Sequence, residues 1–483
     1  MISKLEEQTS KGVFWNFLEK FLSRGIGVLV TLLLAWFLVP EDYALVAMIA
    51  VFIMLSKVIV DGGLGQALIR KTDTNDIDNN TVFYTNIFLS IIIYITLYFL
   101  APLIAEFYDK KILKDIIRVV GITVFFNAFI VVQQALLQKN MLFKLQLRIH
   151  LPAAIISGIS GILLAYFNFK VWALIAQIIL NTFFVALFYW NLNIWRPSKK
   201  YSFQNLRELF SFGGFLIMES LFSVPFKNMY NIILPKFFTA NLVGLYFFSE
   251  KIKELVLNQL VESIQTVTYP ALSSIQHDTI RLKHGFKKVV LVISFMLSII
   301  LLSISALAEP IFLIFFPSDW FEGFRFLQLI FIAAIMFPLS AININIMKVV
   351  GKSSLIFYTG LCKKFLGISI FIIALSFNDI IIVLYGQILL SVLAFFINSY
   401  HSKRLIGYSA YEQLLDFIPS LALSLLIIII IYILQSFLSW DPLIEIIVFT
   451  ILIIILYLIL ASLFKLRGYE LVREIWLKKF DKS

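Results

Sequence analysis

Apolar residues run along this chain in long blocks parted by short polar breaks. Each block is long enough for a helix that crosses a bilayer at about 1.5 Å per residue. The pattern predicts fourteen helices, near 13–38, 42–69, 81–106, 112–138, 146–167, 170–192, 209–237, 241–272, 286–309, 324–349, 354–376, 380–402, 414–438 and 442–464. Several odd-to-even connections are very short: Pro40-Glu41, Asn168-Phe169, Thr239-Ala240, Asn378-Asp379 and Asp441-Pro442. Even-to-odd connections are longer and basic. By that alternation 27 of the 40 Lys and Arg fall on one side and 7 on the other, with 6 inside the helices. The positive-inside rule then places both termini in the cytoplasm. The polar start MISKLEEQTSKG precedes a span too long for a signal-peptide core, which predicts no cleavage.

Composition narrows the class. Of the 483 residues 60% are hydrophobic and 14% charged, against about 25% charged in a soluble domain. The single Cys362 excludes an internal disulfide framework and disfavours a metal site. The net charge of +11 lies in short loops, so it is topological and gives no support to nucleic-acid binding. No enzyme motif survives its context. IMKVVGKS (346–353) ends like a phosphate loop but has Ile346 where the first glycine belongs, and DGGLGQAL (61–68) follows a membrane helix rather than a strand. His150, His277, His284 and His401 read as solvated loop residues, and no cofactor is implied.

No connection is large enough to be a domain. The longest, about 193–208, divides the chain into an N-terminal lobe (1–200), a C-terminal lobe (201–405) and an appendage of two helices with a cytoplasmic tail (406–483). A faint repeat supports the division. Residues 32–45 shifted by 200 meet 232–245, with Leu34/Leu234, Phe37/Phe237 and Leu45/Leu245 identical. APLIAEFY (101–108) likewise echoes EPIFLIFF (309–316). Parallel six-helix repeats about an axis along the membrane normal are a transporter plan.

The charges inside the helices are the candidate site. A cation in the hydrocarbon costs about 2.5–3.5 kcal/mol on insertion scales, so such residues usually face a wet cavity or a partner. Lys20 and Arg24 sit one turn apart in the first helix; the alternative is that they snorkel to the headgroups. Lys57 and Asp61 are spaced i,i+4 and could neutralise one another. Helix seven carries Glu219 and Lys227, and helix eight carries Glu250, Lys251, Lys253, Glu254 and Glu262. The six cations Lys20, Arg24, Lys57, Lys227, Lys251 and Lys253 would line a central cleft suited to a phosphate-bearing substrate. The acids Asp61, Glu219, Glu250, Glu254 and Glu262 would serve in proton or sodium coupling or as local ion-pair partners.

Several stretches in order resemble one family. They are DGGLGQALIRK (61–71), APLIAEFY (101–108), ALLQKNMLFK (135–144), LVGLYFFSEKIKELVLNQLVESIQTVTYPALSSIQHD (242–278), AEPIFLIFFPSDW (308–320) and MKVVGKSSL (347–355). Together they are similar to the Wzx-type polysaccharide exporters of the multidrug/oligosaccharidyl-lipid/polysaccharide superfamily, in the colanic-acid, teichuronic and O-antigen branch. The resemblance implies an all-α integral membrane protein: a V-shaped, pseudo-two-fold pair of six-helix lobes plus two C-terminal helices, in the bacterial inner membrane. It implies a flippase, not an enzyme, that moves undecaprenyl-diphosphate-linked oligosaccharide by alternating access for surface polysaccharide assembly. Its partners would be that lipid-linked substrate, membrane lipids and the polysaccharide polymerase machinery. In related flippases basic residues on helices one, two and eight contact the diphosphate, and Arg24, Lys57 and Lys251 occupy those helices here. Two other readings compete: a cation-coupled multidrug antiporter of the same superfamily, and a membrane glycan polymerase or ligase. The first relies on acidic sites where helices one and two here are mainly basic; the second needs a sizeable periplasmic loop.

Overall fold

A computed structural model describes the backbone of residues 2–480 apart from 193 and 439. Within that range it describes the side chains except those of 2–14, 16, 17, 24, 212, 215, 258, 259, 262, 263, 266, 267, 353, 475, 476 and 478–480. Among the described residues all regular structure is helical, without a strand. In order the helices are α1 (Ile2–Ala35), α2 (Pro40–Asp61), α3 (Leu64–Arg70), α4 (Asp76–Phe107), α5 (Ile112–Val120), α6 (Thr123–Lys139), α7 (Phe143–Tyr166), α8 (Val171–Asn191), α9 (Phe203–Lys227) and α10 (Met229–Phe237). They continue as α11 (Ala240–Ser273), α12 (Thr279–Ala306), α13 (Ala308–Phe315), α14 (Gly323–Ala333), α15 (Phe337–Val349), α16 (Ser353–Leu375), α17 (Ile380–Ile406), α18 (Ala410–Phe437), α19 (Pro442–Leu463) and α20 (Arg467–Phe480).

The class is the multi-pass helical one expected, and each of the fourteen predicted blocks is helical in the main, though not all qualify as apolar spans. Eleven segments of the described residues are long and apolar enough to cross a bilayer, and twelve with α9, which bends by 52° between Phe203–Ser211 and Leu216–Lys227. The blocks at 13–38 and 241–272 form α1 and α11, each 34 residues long, outside that count. Several expected helices are also broken, each for a local reason. The block 42–69 parts into α2 and α3 because Gly62 and Gly63 both take left-handed backbone, φ 61° and 62°. The block 324–349 passes through a 3-10 turn at Ala334–Met336 just before Pro338, which has no N–H to continue the ladder. Residues 467–480, read as a tail, form α20.

Starts are set by side-chain caps. Asn75 Oδ1 accepts from the Asp78 N–H at 2.9 Å while Asp78 Oδ2 accepts from the Asn75 N–H at 3.1 Å, opening α4. Ser409 and Glu412 do the same for α18, at 3.2 and 2.7 Å. Each satisfies donors that the first turn leaves unpaired.

The chain parts into two compact units, Met1–Phe247 and Phe248–Ser483. In the first, α9 and α10 pack on α2, and α9 also packs on α3 and α4. The core there joins Leu64 and Leu68 of α3, Phe83 of α4, Val132 of α6, Trp195 of the connection after α8, and Leu209 of α9. Phe83 is its centre, with ring centroids 5.6–5.8 Å from those of Trp195, Trp190 and Phe129. Two close backbone approaches pin the packing. Gly63 lies so near α9 that an added Cβ would sit 2.5 Å from the Gly213 carbonyl oxygen, and one on Gly244 would overlap the Pro40 carbonyl.

Polar ties close the ends of this unit. Lys71 Nζ reaches Asp78 Oδ1 at 3.1 Å and Glu208 Oε2 at 3.2 Å, and Asn205 Nδ2 donates to the same Asp78 oxygen at 2.7 Å. Burial lowers the Lys71 ammonium, but the two carboxylates outweigh it and hold it above its ordinary value. Lys139 donates to the Lys71 carbonyl, to the Thr72 carbonyl at 3.1 Å and to Thr74 Oγ1 at 2.8 Å. At the opposite end of α4, Tyr108 donates to the Ile232 carbonyl at 3.0 Å, and its burial pushes the phenol up to about 12.

The second unit is built on α12. It shares one core with α18 and α19, in which Phe295 stacks on Tyr457 at 4.8 Å and the Tyr457 hydroxyl donates to the Phe295 carbonyl at 2.7 Å. The two C-terminal spans are thus part of this unit's core. Lys283 pairs with Glu412 at 2.9 Å and Lys287 with Asp416 at 3.0 Å along the same seam. A fully buried amide network crosses α15, α17 and α18: Asn343 donates to Gln413 at 2.8 Å, and Ser402 to Asn343 at 2.5 Å.

Candidate functional site

The double-glycine turn after α2 shapes a polar cavity of the first unit. Because Gly62 and Gly63 reverse the backbone, the Gly65 N–H comes back onto Asp61 and donates to its Oδ1 at 3.3 Å. A Cβ on Gly65 would lie 2.8 Å from that oxygen, so a larger residue there would push the Asp61 carboxylate aside. The motif DGGLGQAL therefore has a structural reading: it turns a membrane helix and fixes a carboxylate at its end.

Across from that turn runs α6. The cavity between α2, α3 and α6 has a volume of about 230 Å³ and is lined by Lys57, Asp61, Gln66, Asn127, Gln134 and Gln138 together with small and aliphatic side chains. Asn127, Gln134 and Gln138 are spaced 7 and 4 residues apart, which puts them on one face of α6. Lys57, Asp61, Asn127, Gln134 and Gln138 are half-buried, and Gln66 is exposed. The Asn127 amide donates to the Thr123 carbonyl at 2.6 Å. The side-chain amides of Gln134 and Gln138 have no hydrogen-bond partner among the described residues.

Lys57 and Asp61 do not neutralise one another. Among the described residues no carboxylate comes within 4.0 Å of the Lys57 ammonium. The reason is the turn: Asp61 is taken by the Gly65 N–H, leaving the lysine facing the cavity. A cation, a carboxylate and neutral amides thus share one small concave space in a helical membrane unit. Neutral amides are hard to see in a search for charge, and their signal was the spacing within FNAFIVVQQALLQK.

The other predicted residues lie elsewhere. Lys20, beside Glu19 on α1, is half-buried and engaged in a polar contact. The Arg24 side chain lies outside the described ones, as does that of Glu262. Glu219 and Lys227 are both exposed on α9. In the second unit, α11 pairs its own charges at i,i+3: Lys251 with Glu254 at 3.4 Å, and Lys253 with Glu250. Glu250 and Glu254 are therefore held by lysines of their own helix. His150, expected in a solvated loop, is half-buried on α7, 3.2 Å from the Tyr189 hydroxyl.

Among the described residues no group of three or more His, Cys, Asp or Glu is placed to hold a metal. What the arrangement offers is hydrogen-bonding and charge recognition, from Lys57, Asp61 and neutral amides.

Comparison with known proteins gives these features a context. A family model described as "Polysaccharide biosynthesis protein" matches residues 33–324, more than half of the chain. The teichuronic acid biosynthesis protein TuaB of Bacillus subtilis (strain 168) is 24% identical over 370 residues, 74% of this chain and 75% of its own length. The lipopolysaccharide biosynthesis protein WzxC of Escherichia coli (strain K12) is 22% identical over 339 residues, 69% of this chain and 68% of that protein. Among solved structures, the lipid II flippase MurJ in its inward closed conformation superposes with a TM-score of 0.77 at 16% identity, covering 94% of this chain and 98% of that one. The two share a fold.

Proposed function

Since this chain belongs to the polysaccharide biosynthesis protein family, as a Wzx-type exporter of the multidrug/oligosaccharidyl-lipid/polysaccharide superfamily, we propose that it is a flippase for lipid-linked oligosaccharide. Its substrate is an undecaprenyl-diphosphate-linked repeat unit, moved from the cytoplasmic to the periplasmic leaflet of the bacterial inner membrane. The observation that carries this reading is the family match over residues 33–324, a stretch that runs from α2 to α13 and holds four of the six intramembrane cations, Lys57, Lys227, Lys251 and Lys253.

The chemistry follows from the charges. Lys20, Arg24, Lys57, Lys227, Lys251 and Lys253 neutralise the diphosphate, which a low-dielectric surrounding would otherwise repel. The sugar stays in the wet part of the path, and the polyprenyl chain stays in lipid. Alternating access, driven by a gradient of protons or sodium ions, opens that path to one leaflet at a time. Glu250 and Glu254 serve as ion-pair partners, whereas Asp61, Glu219 and Glu262 are the acids open to coupling. Both termini lie in the cytoplasm, as the distribution of Lys and Arg requires. The lobes of the transport cycle are residues 1–200 and 201–405, following the internal repeat, with 406–483 outside the repeat but packed into the core of the second unit. The polymerase that consumes the flipped unit is the expected partner on the periplasmic side.

A deletion strain separates this reading from the antiporter. Surface glycan should fall below detection and return with the wild-type gene, while susceptibility to cationic drugs stays unchanged. Intact glycan together with altered drug susceptibility would reject the flippase.

A further inference from the structure

We propose that the amide-lined cavity between α2, α3 and α6 is a sugar subsite, where hydroxyls of the lipid-linked oligosaccharide are held. This rests on the flippase reading and adds a place and a chemistry to it.

Three observations point there. The first is how this chain treats its other intramembrane amides. Gln133, next to Gln134, donates to the Trp195 carbonyl at 2.8 Å, and Asn343 and Gln413 pair with one another at 2.8 Å. These amides are partnered within the fold, whereas Asn86, fully buried on α4, has no partner at either amide atom. Gln134 and Gln138 share α6 with Gln133 and face the cavity, and their side-chain amides have no hydrogen-bond partner among the described residues. The second is the mixture of groups. Sugar hydroxyls donate and accept at once, and amides beside a carboxylate and an amine match both functions. The third is size. At about 230 Å³ the space is smaller than the ~300–1,000 Å³ of a pocket for a drug-sized ligand, so it fits one sugar residue rather than a repeat unit.

The position is also apt. Gln138 is followed directly by Lys139, at the basic end of α6 that the charge distribution places in the cytoplasm. A sugar held there is held on the side where the repeat unit is assembled. Lys57 in the same space opposes a bare cation as occupant, since like charges would meet in a half-buried site.

The test uses the full-length protein in lipid nanodiscs and two probes: undecaprenyl diphosphate, and the glycosylated undecaprenyl diphosphate extracted from the deletion strain. Wild type should bind the glycosylated lipid more tightly than the bare one. Gln134→Met with Gln138→Met keeps side-chain length but removes the hydrogen bonds. It should weaken binding of the glycosylated lipid by about tenfold, as expected for two neutral hydrogen bonds, and leave the bare lipid unchanged. A single Gln134→Met variant, with an intermediate loss, serves if the pair does not fold. Equal losses for both lipids, or no loss for either, would overturn the subsite while leaving the flippase standing. So would sodium-dependent thermal stabilisation that Asp61→Asn abolishes while sugar binding persists, which would mark an ion site instead. Wild type that binds neither lipid would overturn both the subsite and the flippase.

Discussion

A strain whose only copy carries Arg24→Ala with Lys251→Ala is expected to lose surface-glycan assembly while keeping the protein in the membrane at its normal level. Hydrogen bonds to charged groups contribute about 1.5–3 kcal/mol each. Removing two from a diphosphate would therefore cost about 3–6 kcal/mol, roughly two to four orders of magnitude in affinity. Lys251 adds a second effect, because its loss releases Glu254, 3.4 Å away, as an unneutralised charge on α11. Immunoblotting of membranes beside glycan staining reads the two quantities separately. Normal glycan from the double variant would reject these residues as the diphosphate site.

Replacing Gly244 by alanine should be the most damaging small change to the first unit. Its added Cβ would overlap the Pro40 carbonyl, a backbone atom that no rotamer change can clear. Overpacking of this kind costs about 1–3 kcal/mol and occasionally more. Gly360 on α16 is the control, since a Cβ there meets nothing within 4 Å and its backbone is helical. Gly360→Ala should leave stability unchanged or raise it by up to about 1 kcal/mol, the cost of glycine inside a helix. Thermal unfolding of the two purified variants in detergent checks the contrast. Equal stability of Gly244→Ala and wild type would mean that α2 and α11 do not approach as closely as described.

The helical class and most span positions could be read from hydropathy alone, because a membrane helix must satisfy its backbone internally and be apolar over its length. Interruptions were harder. The blocks 42–69 and 112–138 are continuous in hydropathy, yet the backbone parts at Gly62-Gly63 and at Gly121-Ile122. Hydropathy measures transfer to lipid and carries no record of left-handed dihedrals. The helix at 467–480 was missed for the converse reason: it is too polar to stand out beside the spans.

At the site, charge was the visible signal and it led to Lys57 and Asp61. Spacing alone left their pairing open, and the double-glycine turn decides against it by bringing the Gly65 N–H to Asp61. On α11 the near spacing of Lys and Glu did become ion pairs. The amides of α6 carry no charge and sit within an apolar block. Only the fold distinguishes Gln133, bonded to Trp195, from its neighbour Gln134, which faces the cavity.

The measurement that tests the central claim most directly is lipid extraction and mass spectrometry on cells depleted of this protein, with the biosynthetic enzymes still expressed. The account predicts that undecaprenyl-diphosphate-linked oligosaccharide accumulates, confined to the cytoplasmic leaflet, at the mass of one repeat unit. An unchanged lipid-linked pool, or one already exposed on the periplasmic face, would contradict it.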